Sequence, residues 1–273
     1  MKTCTFDLTG QVAVVTGANG VLISEMAKAL AAHGAKVALL SRNKDKLAKL
    51  EATIRESGGE AMAIAGDVTD VESLQEASRM VLSTYGQIDL LVNGAGGNSP
   101  DATAMPGGKS FFDLPSEGLK FVTDLNLVGT VLPCQVFGKA MAVQKAGSII
   151  NISSMSGFKP LTRVMGYSAA KAAINNFTEW LSVYMATEVD ASIRVNAIAP
   201  GFFLTEQNRF LLTKEDGSLT ARGETIISQT PQRKFGEPED LLSTLIWMAS
   251  PGASFVTGIV VPVDGGFNAF GGV

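Results

Sequence analysis

The chain is short of the residues that most often announce chemistry. It has one histidine, His33, and two cysteines, Cys4 and Cys134, in 273 residues. A lone imidazole beside Gly34, at a helix end, argues against a Ser-His-Asp triad and nearly excludes a histidine-based zinc site. Two distant cysteines supply neither a disulfide framework nor a metal-ligand spacing, and they fit a reducing compartment. Cys134 sits in an apolar helical stretch and reads as core. There is no Lys/Arg run and the formal net charge is -4, which disfavours nucleic-acid binding. Met1 to Gly10 has no signal-peptide apolar run, and no later segment has about eighteen uninterrupted apolar residues. A cytoplasmic protein with no membrane partner is expected. No internal repeat, low-complexity tract or linker breaks the chain.

What is present is core. Apolar residues make up 46% and charged residues 18%, ample for one large α/β domain. Gln11 to Thr16 is a β-branched apolar run read as a buried strand. Gly17 to Gly20 is turn-like, and Val21 to Ala32 is a helix closed by Gly34. Strands at Lys36–Leu40, Ala61–Ala65 and Ile88–Val92 alternate with helices at Lys44–Ser57 and from an Asp70 N-cap towards Tyr85. Gly97 to Gly108 is irregular and rich in Gly and Pro, and loops of this kind usually carry function or move. Leu114 to Gln144 reads as a long helix, Ser148 to Ile152 as a fifth strand, and Met165 to Val189 as another helix. Ile193 to Ala199 and Ile259 to Val263 are the last strands, with a helix at Pro238–Ala249 between them. Phe202 to Arg233 is too polar for core and reads as a helical excursion or lid over an otherwise single domain, residues 1–273. The alternation predicts right-handed crossovers, a parallel sheet of about seven strands, helices on both faces, and one doubly wound α/β domain.

The chemistry centres on Tyr167 and Lys171, which share one face of their helix at a spacing of four. A free phenol titrates at about 10, and a neighbouring ammonium favours its anion. Lowering it to about 7 takes about 4 kcal/mol, which a dry cleft with a cationic nicotinamide beside the lysine could supply. The pair is also compatible with a solvated helix face. Gly17 and Gly20, with Asn19 between them and Val21 and Leu22 opening the helix, would let the backbone approach a pyrophosphate at a helix N-terminus. The alternative is an ordinary turn. After the second strand, Ser41-Arg42-Asn43 contains no carboxylate, and Arg42 can fork onto a phosphate, which points to NADP over NAD. Arg42 could instead be an exposed helix-start residue on an enzyme that takes either. Asp67-Val68 suits an adenine-edge contact or a cap. Asn93-Gly94-Ala95-Gly96 after the fourth strand lets a flat ligand lie across the sheet edge. Asn126 is a polar residue in an apolar helix and needs partners if buried.

In this order these residues resemble the short-chain dehydrogenase/reductase family over essentially the whole chain. The matching elements are Thr16-Gly17…Gly20, Asn93-Gly94-Ala95-Gly96, Asn126, Ser154, Tyr167-x-x-x-Lys171, Pro200-Gly201-x-x-x-Thr205 and Val263-Asp264-Gly265-Gly266. The resemblance implies a Rossmann domain and an NAD(P)(H)-dependent alcohol–carbonyl interconversion. It makes Tyr167 the acid/base. Lys171 would hold the nicotinamide ribose and lower the phenol pKa, Ser154 would bond the substrate oxygen, and Asn126 would support a water relay. Thr205 and the backbone near Phe203 would bind the carboxamide. It also implies a homotetramer or homodimer built on the long helices, with Leu125, Leu127, Val128 and Val131 serving either the interface or the core. Two positions depart from the pattern. Ile23 stands where the last glycine of the turn is usual, which would crowd the helix start, and Gly94 stands where Asn is usual.

Phe202 to Phe210 and the Gly-Val-Leu segment resemble the branch that acts on D-mannonate, the fructuronate reductases. A sugar acid would need cationic groups, for which Arg163, Arg209 and Lys109 are candidates, each also readable as surface charge. The runner-up is a reductase of ketones or 3-oxoacyl thioesters, favoured by an apolar lid of Phe202, Phe203, Phe210, Leu211 and Leu212. A non-catalytic dinucleotide sensor is a third reading, resting on Ile23.

Overall fold

A computed structural model describes residues 6–105, 107–205 and 208–272. Cys4, Pro106 of the Gly-rich loop, Glu206 and Gln207 of the expected lid, and the terminal Val273 lie outside the described residues. Seven parallel strands form one sheet: β1 Val12–Thr16, β2 Lys36–Ser41, β3 Glu60–Ala65, β4 Leu90–Asn93, β5 Gly147–Ile152, β6 Ile193–Pro200 and β7 Val260–Val263. Their order is β3-β2-β1-β4-β5-β6-β7. The direction of travel reverses between β1 and β4, paired in register Thr16 to Asn93. Such a switch point opens a crevice at the strands' carboxyl ends.

Period-two side-chain alternation splits the core into two layers. Ala13, Val15, Val37 and Leu39 face one side with helices α1 (Val21–Ala32) and α2 (Lys44–Glu56). Val12, Val14, Ala38 and Leu40 face the other with α3 (Val71–Tyr85) and α4 (Ser116–Gln144). Helix α5 (Met165–Tyr184, extended by a wide turn Met185–Val189) shares that second layer through Leu181 and Met185. Asp70 caps α3 by accepting from the Glu72 and Ser73 N–H groups, as expected. By length and composition α4 is apolar enough to cross a bilayer, and half of its most apolar window is buried in the fold. Cys134 on α4 is buried, and burial pushes its thiol up to about 12.

Two expected helices differ, the one from Leu114 and the one from Pro238. The helix anticipated from Leu114 starts at Ser116, after Pro115, and its middle widens into a π turn over Asp124–Val128. The segment 202–233 carries two short helices, α6 (Arg209–Leu212) and α7 (Ala221–Gln229). It is followed by a 3₁₀ turn at Pro238–Leu241 that leads into α8, Leu242–Ala249.

Candidate active site

The first wall of the crevice is two turns set back to back. Gly17 adopts φ +66°, and a Cβ there would stand 2.7 Å from the Ala95 backbone, so only glycine serves. Thr16 Oγ1 accepts from the Gly94 and Ala95 N–H groups at 3.2 and 3.4 Å, locking the turns together. Helix α1 starts after Gly20 with no side-chain cap and no acidic residue in its first turn. Its first N–H groups are therefore free of a side-chain partner, the arrangement that suits an anion.

A cavity of about 470 Å³ extends from this turn between β1 and β2. Gly17, Asn19, Gly20, Ser41, Arg42, Asn43, Asp67, Val68 and the Gly94–Gly96 segment line it. Asn43 is partly committed, its side chain capping α2 at the Lys46 N–H. Burial works to raise the Asp67 carboxyl, but hydrogen bonds from the Thr69 N–H and hydroxyl, helped by the Arg42 charge, hold it below its ordinary value. Ser41 Oγ is buried with no partner. An orphaned hydroxyl on a cavity wall is the mark expected of a missing polar ligand.

The crevice continues past Gly20, Gly94 and Gly96 into a second cavity of about 310 Å³. Val21, Leu22, Ile23, Ser154, Tyr167, Lys171, Pro200, Gly201, Phe203 and Thr205 line it. Strand β5 delivers Ser154 just past its end, and α5 brings Tyr167 and Lys171 alongside. Lys171 is 3% exposed, and its Nζ donates to the Ile152 carbonyl at 2.8 Å and lies 5.5 Å from the Tyr167 ring centroid. Burial lowers its pKa to about 7. Burial raises that of the Tyr167 phenol, and hydrogen bonding to the Ser154 hydroxyl offsets part of the rise. In the protein by itself, therefore, Lys171 does not bring the phenol below its ordinary value. Burial works against the charged form of each group.

Asn126 sits inside the π turn and is fully buried. Its side chain accepts from the Gly97 N–H at 3.1 Å and donates to the Gly97 and Val122 carbonyls at 2.7 and 2.8 Å. A Cβ on Gly96 would be 2.8 Å from Asn126 Oδ1 and 3.2 Å from Lys171 Nζ, so the Gly96–Gly97 backbone covers both residues. Below them Asn93 donates to Asn151, and Asn151 donates to Thr178 on α5, both at 2.9 Å. This chain ties α5 to β4 and β5.

Most of the sequence-derived residues line the two cavities; Asn93 and Asn126 lie buried behind them, and the substrate candidates stand apart. Arg163, Arg209 and Lys109 do not line either cavity. Lys109 is paired with Asp101, and Arg209 is exposed at the start of α6. Of the expected apolar lid, Phe202 and Phe203 line the second cavity, Phe210 and Leu211 are exposed, and Leu212 is buried. Reading the sequence missed four residues. Asn208 fixes the loop after Gly201 by accepting from the Thr205 N–H and donating to the Phe203 carbonyl at 2.8 and 2.7 Å. The Asn151–Thr178 link was signalled only by polar residues on apolar elements. Arg222 on α7 feels the charge of Arg163, which adds to burial in lowering its pKa.

The profile of the short chain dehydrogenase family matches residues 11–216. An uncharacterised oxidoreductase of Bacillus subtilis, UxuB, is 50% identical over 98% of both chains. A Haemophilus protein provisionally named a D-mannonate oxidoreductase, crystallised with bound NAD, is 44% identical and superposes with a TM-score of 0.92 over 98% of both chains. A 3-oxoacyl-[acyl-carrier-protein] reductase of Synechocystis is 33% identical over 96% of this chain and 99% of its own. The chain belongs to the short-chain dehydrogenase/reductase family of oxidoreductases.

Proposed function

We propose that this enzyme interconverts an alcohol and a carbonyl on a sugar acid such as D-mannonate and D-fructuronate, with the hydride exchanged with a bound dinucleotide. The observation that carries the reading is the meeting of Ser154, Tyr167 and Lys171 at one end of a glycine-lined crevice whose other end holds the orphaned Ser41 hydroxyl. The fit to a dinucleotide is local: an uncapped helix start for a pyrophosphate, glycines where any Cβ would intrude, and polar groups at the adenosine end. Gly17, Asn19, Gly20, Val21 and Leu22 would hold the pyrophosphate. Ser41, Arg42, Asp67 and Val68 would hold the adenosine. Asn93 to Gly96, Pro200, Gly201, Phe203 and Thr205 would flank the nicotinamide. The nicotinamide supplies or accepts the hydride when bound.

The chain's own residues handle the proton and the oxygen. Ser154 holds the substrate oxygen. Tyr167 protonates that oxygen during reduction and removes its proton during oxidation. Lys171, protonated beside the ribose, shifts the phenol towards its anion through a low-dielectric gap. Asn126 keeps the Gly96–Gly97 wall over the lysine. The residues 202–233 act as the lid over the substrate end. Arg42 makes no ion pair among the described residues and favours NADP by donating to a 2′-phosphate. NAD is the alternative, and the Haemophilus relative carries it.

Arg163 and Arg222 support an anionic substrate. Arg222 feels the charge of Arg163, and neither has an ion-pair partner among the described residues; a substrate carboxylate would offset that repulsion. The runner-up thioester reductase keeps support from Phe202 and Phe203, which line the cavity with Ser154, Tyr167 and Lys171, and from the exposed Phe210 and Leu211. For assembly we propose a homodimer or homotetramer, supported by the exposed stack of Trp180 and Tyr184 on α5.

The test is a screen of sugar acids, ketones and oxoacyl thioesters against NADH and NADPH, followed by absorbance. Turnover of fructuronate, with Arg163→Ala and Arg222→Ala each raising its KM at least tenfold and leaving neutral ketones unaffected, is the expected result. Turnover of thioesters alone would replace the sugar-acid reading with its runner-up.

A further inference from the structure

The two departures from the family pattern are one feature in the folded protein. Ile23, in the first turn of α1, and Gly94, just after β4, lie far apart in sequence but meet across the crevice wall. A Cβ built on Gly94 would stand 2.7 Å from Ile23 Cδ1 and 2.8 Å from both Cγ1 and Cγ2. Such distances are well inside van der Waals contact. All three outer carbons of the isoleucine crowd the same point, so no single rotation about its side-chain bonds clears it. Ile23 is 6% exposed, its Cγ1 is 3.8 Å from the Cβ position of Gly20, and it belongs to the core layer under α1. It is also part of the wall of the cavity that holds Ser154, Tyr167 and Lys171.

We propose that Ile23 is a dinucleotide-positioning residue whose seat exists only because position 94 has no side chain. The isoleucine fills from the helix side the space that a side chain on the β4 turn would otherwise fill. It presents hydrocarbon, in place of a polar group, where the glycine turn gives way to the nicotinamide end. Its branched body fixes the distance between the start of α1 and the Gly94–Gly96 backbone, and hence the width of the crevice between them. A side chain at 94 would drive Ile23 outward into the ligand's path. The inference rests on the dinucleotide reading above.

The test is direct titration of NADH and NADPH, by nucleotide fluorescence without substrate, into four full-length proteins: wild type, Gly94→Ala, Ile23→Ala, and both together. Gly94→Ala should weaken binding of the preferred dinucleotide at least tenfold. Adding Ile23→Ala to it should bring binding back to within about threefold of Ile23→Ala alone. Melting temperatures should show the same non-additivity. Should Gly94→Ala fail to fold, recovery of a folded protein in the double variant is the supporting result, and a double variant that also fails overturns the proposal. Wild-type affinity in Gly94→Ala, or purely additive effects, likewise overturns it and leaves the dinucleotide reading standing. A wild-type protein that binds neither dinucleotide overturns both.

Discussion

Replacing Lys171 with methionine should make the protein's stability less dependent on pH, by an amount that the structure sets. The folded lysine titrates at about 7 and the unfolded one near its ordinary 10.5. Between those values the unfolded chain holds a proton that the folded chain does not, so stability rises with pH through this window. Above 10.5 the lysine costs nothing, and below 7 the cost is complete, about 4–5 kcal/mol at 1.36 kcal/mol per pH unit. Between pH 7.5 and 9.5 the wild type should gain about 2.5 kcal/mol relative to Lys171→Met. The Ile152 carbonyl loses its donor in the variant, but that loss does not vary with pH and drops out of the difference. Urea unfolding followed by tryptophan fluorescence, on Trp180 and Trp247, measures both proteins at both pH values. A wild-type-minus-variant difference that stays flat across this range would refute the burial argument, because an ammonium open to water has no such window.

Three further outcomes follow from the same geometry. Arg42→Ala should weaken NADPH binding about tenfold and leave NADH within about threefold, read by nucleotide fluorescence; equal effects on both would remove Arg42 from the 2′-phosphate. Asn126→Ala should lower the unfolding free energy by about 2–4 kcal/mol, since it strips partners from both Gly97 groups and from the Val122 carbonyl. A loss below about 0.5 kcal/mol in urea denaturation would mean that the π turn is held by other contacts. Gly17→Ala should cost stability and abolish dinucleotide binding together, because its φ is positive and its Cβ meets the Ala95 backbone. Retained binding would detach that turn from the pyrophosphate.

The alternation of strands and helices was legible because short-range patterns encode it. Val12 to Val15 bury side chains on alternate faces, Asp70 declares a helix start, and a spacing of four puts Tyr167 and Lys171 on one helix face. The layered sheet follows from those patterns with little help from distant contacts. What stayed hidden depends on contacts between distant positions. The π turn at Asp124–Val128 is a shift of a few backbone hydrogen bonds, and no side-chain period records it. Ile23 read as an intrusion because its counterpart, Gly94, lies across the sheet. The lowered Lys171 pKa was not legible because sequence spacing gives a neighbour but not a dielectric, so the dry cleft and the wet helix face both stayed open. Arg222 had no motif to mark it, and only its approach to Arg163 brings it to notice.

In the proposed function the Tyr167 phenol moves the proton while the crevice beside it holds the dinucleotide. Single-turnover hydride transfer in Tyr167→Phe, measured with dinucleotide affinity on the same preparation, separates the two roles. The expected result is a rate lowered by about 10²–10⁴-fold, with the dinucleotide Kd within threefold of wild type. Hydride transfer at the wild-type rate in that variant would contradict the account.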